Sequence, residues 1–252
     1  MNAVRLLLGT LRRRGTARPR AGIGVALAVV LLAGCTYRGT IDQPITIKLT
    51  WYSYLAGEDI RQTCVDSPLP RYRLIYNGHY DEQIRSYEVV AKDDGGAHFT
   101  ARVLGPMRAF AVIRDPLDLQ DPWRWTVSEA RLGPEGFAAF VSVLEDSGLW
   151  RPFGATMNLL STEFYWVASG CRDGQFVFNA WRFGTPRYDA LAFPELLLGY
   201  DETGIALNRP RPVDPADRMF GTRPLARRSD IDSYVFVVRV GAGGLVGMGP
   251  RL

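Results

Sequence analysis

Two histidines, a scatter of acids and one tyrosine-rich stretch are the residues of this 252-residue chain with chemistry to offer. A serine or cysteine nucleophile would need His79 or His98 as its base. His79 lies in NGHYDE beside Asp81 and Glu82, but neither G-x-S-x-G nor H-E-x-x-H occurs. No catalytic residue is assigned on this basis. The histidines show no metal-ligand spacing either, so neither a metal site nor a cofactor is expected. Paired carboxylates would serve glycan hydrolysis, and Glu58, Asp59, Asp81, Glu82, Glu129, Glu135 and Glu163 are the acids to weigh. Glu58, Asp59 and Glu135 suit the first turns of helices, where acids favour the dipole. Glu163 sits among aromatics in TEFYW, a setting for a sugar, although an exposed strand face explains it more simply. The GAGG near the C-terminus follows a strand but precedes no helix, so it reads as a flexible tail and not a phosphate loop.

The densest cluster is YRLIYNGHYDEQIRSYE at 72–88, with four tyrosines, Arg73, Arg85, Asn77 and Gln83. Tyrosine and arginine are enriched at interface anchors, which makes Tyr76, His79, Tyr80 and Arg85 a candidate binding surface. As such they would be partly exposed, with Leu74 or Ile75 anchoring the strand beneath. Cross-strand pairing on a solvated sheet face explains the same residues with no partner. Strand alternation puts Tyr72, Leu74 and Tyr76 on one face and Arg73, Ile75 and Asn77 on the other. Burying the second face requires an acid such as Glu88 opposite Arg73.

The N-terminus carries a different signal. Residues 1–20 hold six arginines and no acid, residues 21–33 (AGIGVALAVVLLA) hold no charge, and Ala33-Gly34 precede Cys35. A basic region, a short apolar region and a small-residue site make a secretory signal peptide over residues 1–34. The 14 uncharged residues from Ala21 to Gly34 fall short of the roughly 20 that span a bilayer. Leu32-Ala33-Gly34-Cys35 resembles the lipobox of bacterial lipoproteins. The resemblance covers the first 35 residues alone, and implies cleavage before Cys35 and lipidation of its thiol. Two or more acyl chains would then form a stable membrane anchor. In enterobacterial members of that family, an aspartate after the cysteine favours the inner membrane. Thr36 therefore implies the periplasmic face of the outer membrane.

Composition narrows the partners. The chain has 30 basic and 26 acidic residues; without the six leader arginines it has 24 against 26, a net of −2. The basic balance belongs to a segment that is removed, so nucleic acid is not an expected partner. Cys64 and Cys171 remain after processing. An oxidising compartment favours a disulfide between them, the alternative being two separate buried thiols.

These residues need elements to hold them. The pattern predicts an α+β domain over 45–252, dominated by antiparallel sheet with one main helix packed on it. A tether spans 35–44. Strands are expected at 45–55, 71–77, 82–91, 97–105, 108–114, around 123–132, and at 232–241. A helical turn or two fits 57–64, a loop 115–122, and a short helix FPELLLGYD. The main helix follows Pro134 and stops at Gly148, with Phe137, Phe140, Val141 and Leu144 in one stripe. Residues 161–183 form a hairpin around the Asp173-Gly174 turn, placing Cys171 at its tip. Residues 208–228 are proline-rich and irregular, and a glycine-rich tail ends the chain. The function expected is a lipid-anchored, non-enzymatic binding or assembly module whose partner is an envelope protein or glycan. The alternative is a periplasmic hydrolase acting on cell-wall glycan or peptide.

Overall fold

Alternating side chains in RYRLIYNG and IRSYEVVA produce an antiparallel hairpin, β1 (Arg71–Gly78) and β2 (Ile84–Ala91), with Arg73 opposite Glu88 and Tyr76 opposite Arg85. The computed structural model describes residues 44–105, 125–151, 154–214 and 235–250, all within one unit, residues 36–252. From the hairpin the sheet grows on both sides. β3 (Ala97–Leu104) and β4 (Thr126–Leu132) continue the meander beyond β2. β6 (Phe164–Arg172) and β7 (Gln175–Arg182) add beyond β1. The order is β4-β3-β2-β1-β6-β7, antiparallel throughout. A smaller sheet holds β5 (Met157–Leu160), β8 (Phe236–Gly241) and β9 (Gly244–Pro250), in the order β5-β8-β9.

Each face of the large sheet is covered. On one, Tyr72, Leu74, Tyr87, Phe99 and Trp166 pack against Phe140 and Leu144 of α3 (Pro134–Asp146) and Phe193 and Leu197 of α5 (Phe193–Tyr200). The stripe read from the sequence is the stripe that packs, since Phe137 and Val141 lie against the same cluster. Gly148, at φ 76°, ends α3: its N–H bonds Glu145 and the Leu149 N–H bonds Leu144. That pair of bonds is a left-handed cap open to glycine at little cost. On the other face, Ile75, Val167 and Ala180 meet α1 (Pro44–Ala56) and the inner side of the small sheet. The short α2 (Glu58–Thr63) follows α1, and α4 (Pro186–Asp189) precedes α5.

Three expectations change. Residues 45–55 are helical, not a strand. Trp51, Tyr54 and Leu55 recur at i, i+3 and i+4 in the buried cluster. A short run rich in β-branched and aromatic residues fits a buried helix as well as a strand, and packing decides between them. α1 and α3 are both 13 residues long, so there is no single main helix among the described residues. The glycine-rich tail contains β9. The strand expected at 108–114, the loop at 115–122, the tether up to residue 43, and residues 215–228 of the irregular segment lie outside the described residues. Among the described residues no helix is long and apolar enough to cross a membrane.

Candidate functional site

The β1–β2 hairpin is not an open surface. Tyr76, His79 and Arg85 are each only 1% exposed, and Tyr80 is half-buried. Tyr80 packs edge-on against Phe236, with ring centroids 4.8 Å apart. His79 occupies the turn at φ 61°. The expected exposure therefore fails for Tyr76, His79 and Arg85 and holds in part for Tyr80; Tyr76 and Arg85 are covered by a segment more than a hundred residues downstream.

Residues 201–211 run as an irregular strap against the hairpin, which holds them by main chain and side chains alike. Gln83 donates from Nε2 to the Ala206 carbonyl (2.9 Å) and accepts at Oε1 from the Asn208 N–H (2.9 Å). Tyr76 Oη donates to the Asn208 carbonyl (2.6 Å), and Arg85 donates to the Ile205 carbonyl. The Arg85 guanidinium also meets Asp201 Oδ2 at 2.6 Å, where the Tyr87 hydroxyl donates as well (2.8 Å). Asn208 Nδ2 donates to Gly78 O and Glu82 Oε2, both at 2.6 Å, and Arg211 pairs with Glu82. Burial pushes the Tyr87 and Tyr76 hydroxyls above their ordinary pKa, so both stay protonated donors at neutral pH. Of the set read from the sequence, Tyr76 and Arg85 thus bind a segment of their own chain.

This arrangement makes a local prediction. Asn208→Ala removes two donors from the strap and should cost about 1 to 3 kcal/mol. Hydrogen exchange should then quicken at the Asn208 amide while the α3 amides keep their protection. Unchanged exchange at Asn208 would mean the strap is held by its other contacts alone.

On the opposite face, Arg73 is 1% exposed and lies at the centre of a charged set. Its Nε and Nη2 donate to Glu88 Oε1 (2.7 and 2.5 Å), and its Nη1 and Nη2 donate to Asp59 (2.7 and 2.8 Å). Its guanidinium lies 3.9 Å from the Tyr54 ring centroid and donates to the Tyr54 carbonyl. Arg71 joins both acids, and Arg102 pairs with Glu88 at 3.1 Å. Burial alone would raise the Glu88 pKa, but Arg73, Arg71 and Arg102 outweigh it and hold the carboxyl below its ordinary value. A glycosidase needs one acid kept protonated; Glu88 is pushed the other way.

Cys64, just past α2, and Cys171 of β6 form a disulfide, with Cα atoms 5.5 Å apart. Ile60 is buried with the bridge and Phe176 packs against it. α2 approaches β6 so closely that Gly57, at φ 66°, could not carry a Cβ: the added atom would fall 2.3 Å from Ser169 Oγ.

The remaining chemical residues are spread apart. His98 is exposed on β3, 3.8 Å from the exposed Glu129. Glu58 and Asp59 open α2, and Glu135 opens α3. Glu163 lines a cleft of about 350 Å³ with Phe164, Arg182, Phe183 and Arg211. Among the described residues no group of three or more His, Cys, Asp or Glu could hold a metal ion. Sequence reasoning missed Asp201 and Asn208, the partners of Arg85 and Gln83, and weighed Asp59 without its partner Arg73; polar residues inside a strand pattern were the available signal. Compared with protein-family models, curated proteins and solved structures, the chain matches none.

Proposed function

We propose that the chain is a lipid-anchored envelope protein serving a non-enzymatic binding or assembly role at the periplasmic face of the outer membrane. The Cys64–Cys171 bridge is the observation that carries this reading, because such bonds persist in oxidising compartments. It agrees with the export signal at residues 1–34 and the lipobox ending at Cys35. The binding role rests on the two-sheet scaffold, whose edge strand β4 is exposed at Thr126, Val127, Glu129 and Arg131. The partner is an envelope protein or glycan.

Cys35→Ser tests the anchor. The parent should incorporate a fatty-acid probe and fractionate with membranes. The variant should stay unlabelled and keep its leader, visible as a larger band on a gel. Equal labelling of the two would refute lipidation at Cys35.

A further inference from the structure

The short helix α2 and the cysteine after it carry ties to three other parts of the chain. An isolated helix needs about 12 to 15 residues to be even marginally stable in water, and α2 has six, so its ties decide whether it forms. Asp59 reaches Arg73 of β1, and Cys64 enters the bridge with Cys171 of β6. The third tie is Arg61. Its Nη2 donates to the Gly243 carbonyl in the β8–β9 turn at 2.6 Å. Its guanidinium lies 4.1 Å from the ring centroid of Phe176 on β7. The turn closes tightly on this group: a Cβ on Gly244 would fall 2.6 Å from the same Nη2. Phe176 in turn packs against both the bridge cluster and the core between the sheets. Bridge, phenyl ring, guanidinium and turn therefore make one continuous set of contacts from the large sheet to the small one.

We propose that α2 is an oxidation-dependent clasp between the two sheets: forming the Cys64–Cys171 bond seats the helix, and Arg61 then fastens the β8–β9 turn. The bond forms by thiol–disulfide exchange with a protein disulfide. One cysteine thiolate attacks the donor disulfide, and the other displaces the mixed disulfide so formed. The two cysteines lose two protons and two electrons, and the donor leaves as a dithiol. Without the bridge, α2 keeps the packing of Ile60 and the Asp59–Arg73 pair, both in its first half. The end that carries Arg61 is then the end released. Leu159, Val238 and Val240 are buried in the core between the sheets and hold the small sheet in either state, so the change is confined to the turn. That the oxidant is met after export rests on the envelope reading above; the clasp rests on the contacts alone.

Hydrogen exchange of the purified full chain is the test. Cys64→Ala with Cys171→Ala should speed exchange over residues 240–245 about fivefold, the low end of coupling between linked sites. The amides of α3 and of the β2–β3 pair should keep their protection. Arg61→Ala in the bridged chain should give the same local rise. Added to the bridge-free chain it should contribute little more, because both changes break one set of contacts. A second measurement does not need the bridge-free chain to fold. The bridge is buried, so a small dithiol reaches it through local opening of α2. Reduction should therefore run about fivefold faster in Arg61→Ala than in the parent, while the strap variant Asn208→Ala matches the parent. Unchanged exchange over 240–245 in a folded bridge-free chain, additive effects of the two changes, or equal reduction rates in Arg61→Ala and the parent would overturn the proposal. None of these readouts depends on the anchor, which the Cys35→Ser labelling decides separately.

Discussion

Arg73→Met is expected to lower stability by about 3 to 5 kcal/mol, the range for removing one member of a buried ionic set. Arg73 donates four hydrogen bonds to Asp59 and Glu88 and is 1% exposed itself. Without it, Asp59 and Glu88 remain partly buried with Arg71 and Arg102 alone to offset them. Urea unfolding at pH 7 measures the loss. A change under about 1 kcal/mol, the size of an exposed ion pair, would show that the two remaining arginines suffice.

The same cluster sets an acid limit. Glu88 holds its carboxyl below the ordinary pKa in the folded state, so on acidification the unfolded chain takes up this proton first. Its contribution is complete above the ordinary carboxylate range and is lost as pH falls through the lowered folded value. The stability gap between parent and Glu88→Gln should therefore be flat near neutrality and narrow in acid. A gap that widens in acid would reverse the assigned sign.

What the sequence made legible is what short-range pattern encodes. The alternation in RYRLIYN placed Arg73 and Tyr76 on opposite faces, and the need for an acid facing Arg73 pointed to Glu88. Asp173-Gly174 marked the β6–β7 turn, with Asp173 at φ 52° and Gly174 at φ 72°. The stripe in α3 was equally local. Where the reading failed, distance or ambiguity was responsible. Gln83 and Arg85 reach strap residues more than 110 positions away, and nothing within a window around either names Asp201 or Asn208. The residues at 45–55 have strand-like types, and the packing of Trp51, Tyr54 and Leu55 that selects a helix involves partners far away in the sequence. β9 was read as a tail because its glycines lower strand propensity, while pairing with β8 supplies the order they lack. Tyr76 and Arg85 of the tyrosine-rich hairpin spend their polar groups on residues of their own chain far downstream.

Removing the disulfide is the other large perturbation. Cys64 and Cys171 are 107 residues apart, and closing a loop of that length restricts the unfolded chain by about 5 kcal/mol in the chain-entropy model. Cys64→Ala with Cys171→Ala leaves neither partner of the bridge as a free thiol and should lose most of that amount, against a typical total of about 5 to 15 kcal/mol. The bridge also has a structural neighbour. It fastens the end of α2 to β6, and α2 supplies Asp59 to Arg73. Loss of the bridge should therefore loosen the ionic cluster from one side, making the two perturbations non-additive. In the disulfide-free background, Arg73→Met should cost at least about 1 kcal/mol less than in the parent, a coupling typical of residues that share partners. Urea unfolding of the four variants closes the cycle. Equal Arg73→Met penalties in both backgrounds would show that α2 is seated by packing around Ile60 alone, with the bridge acting only on the unfolded chain.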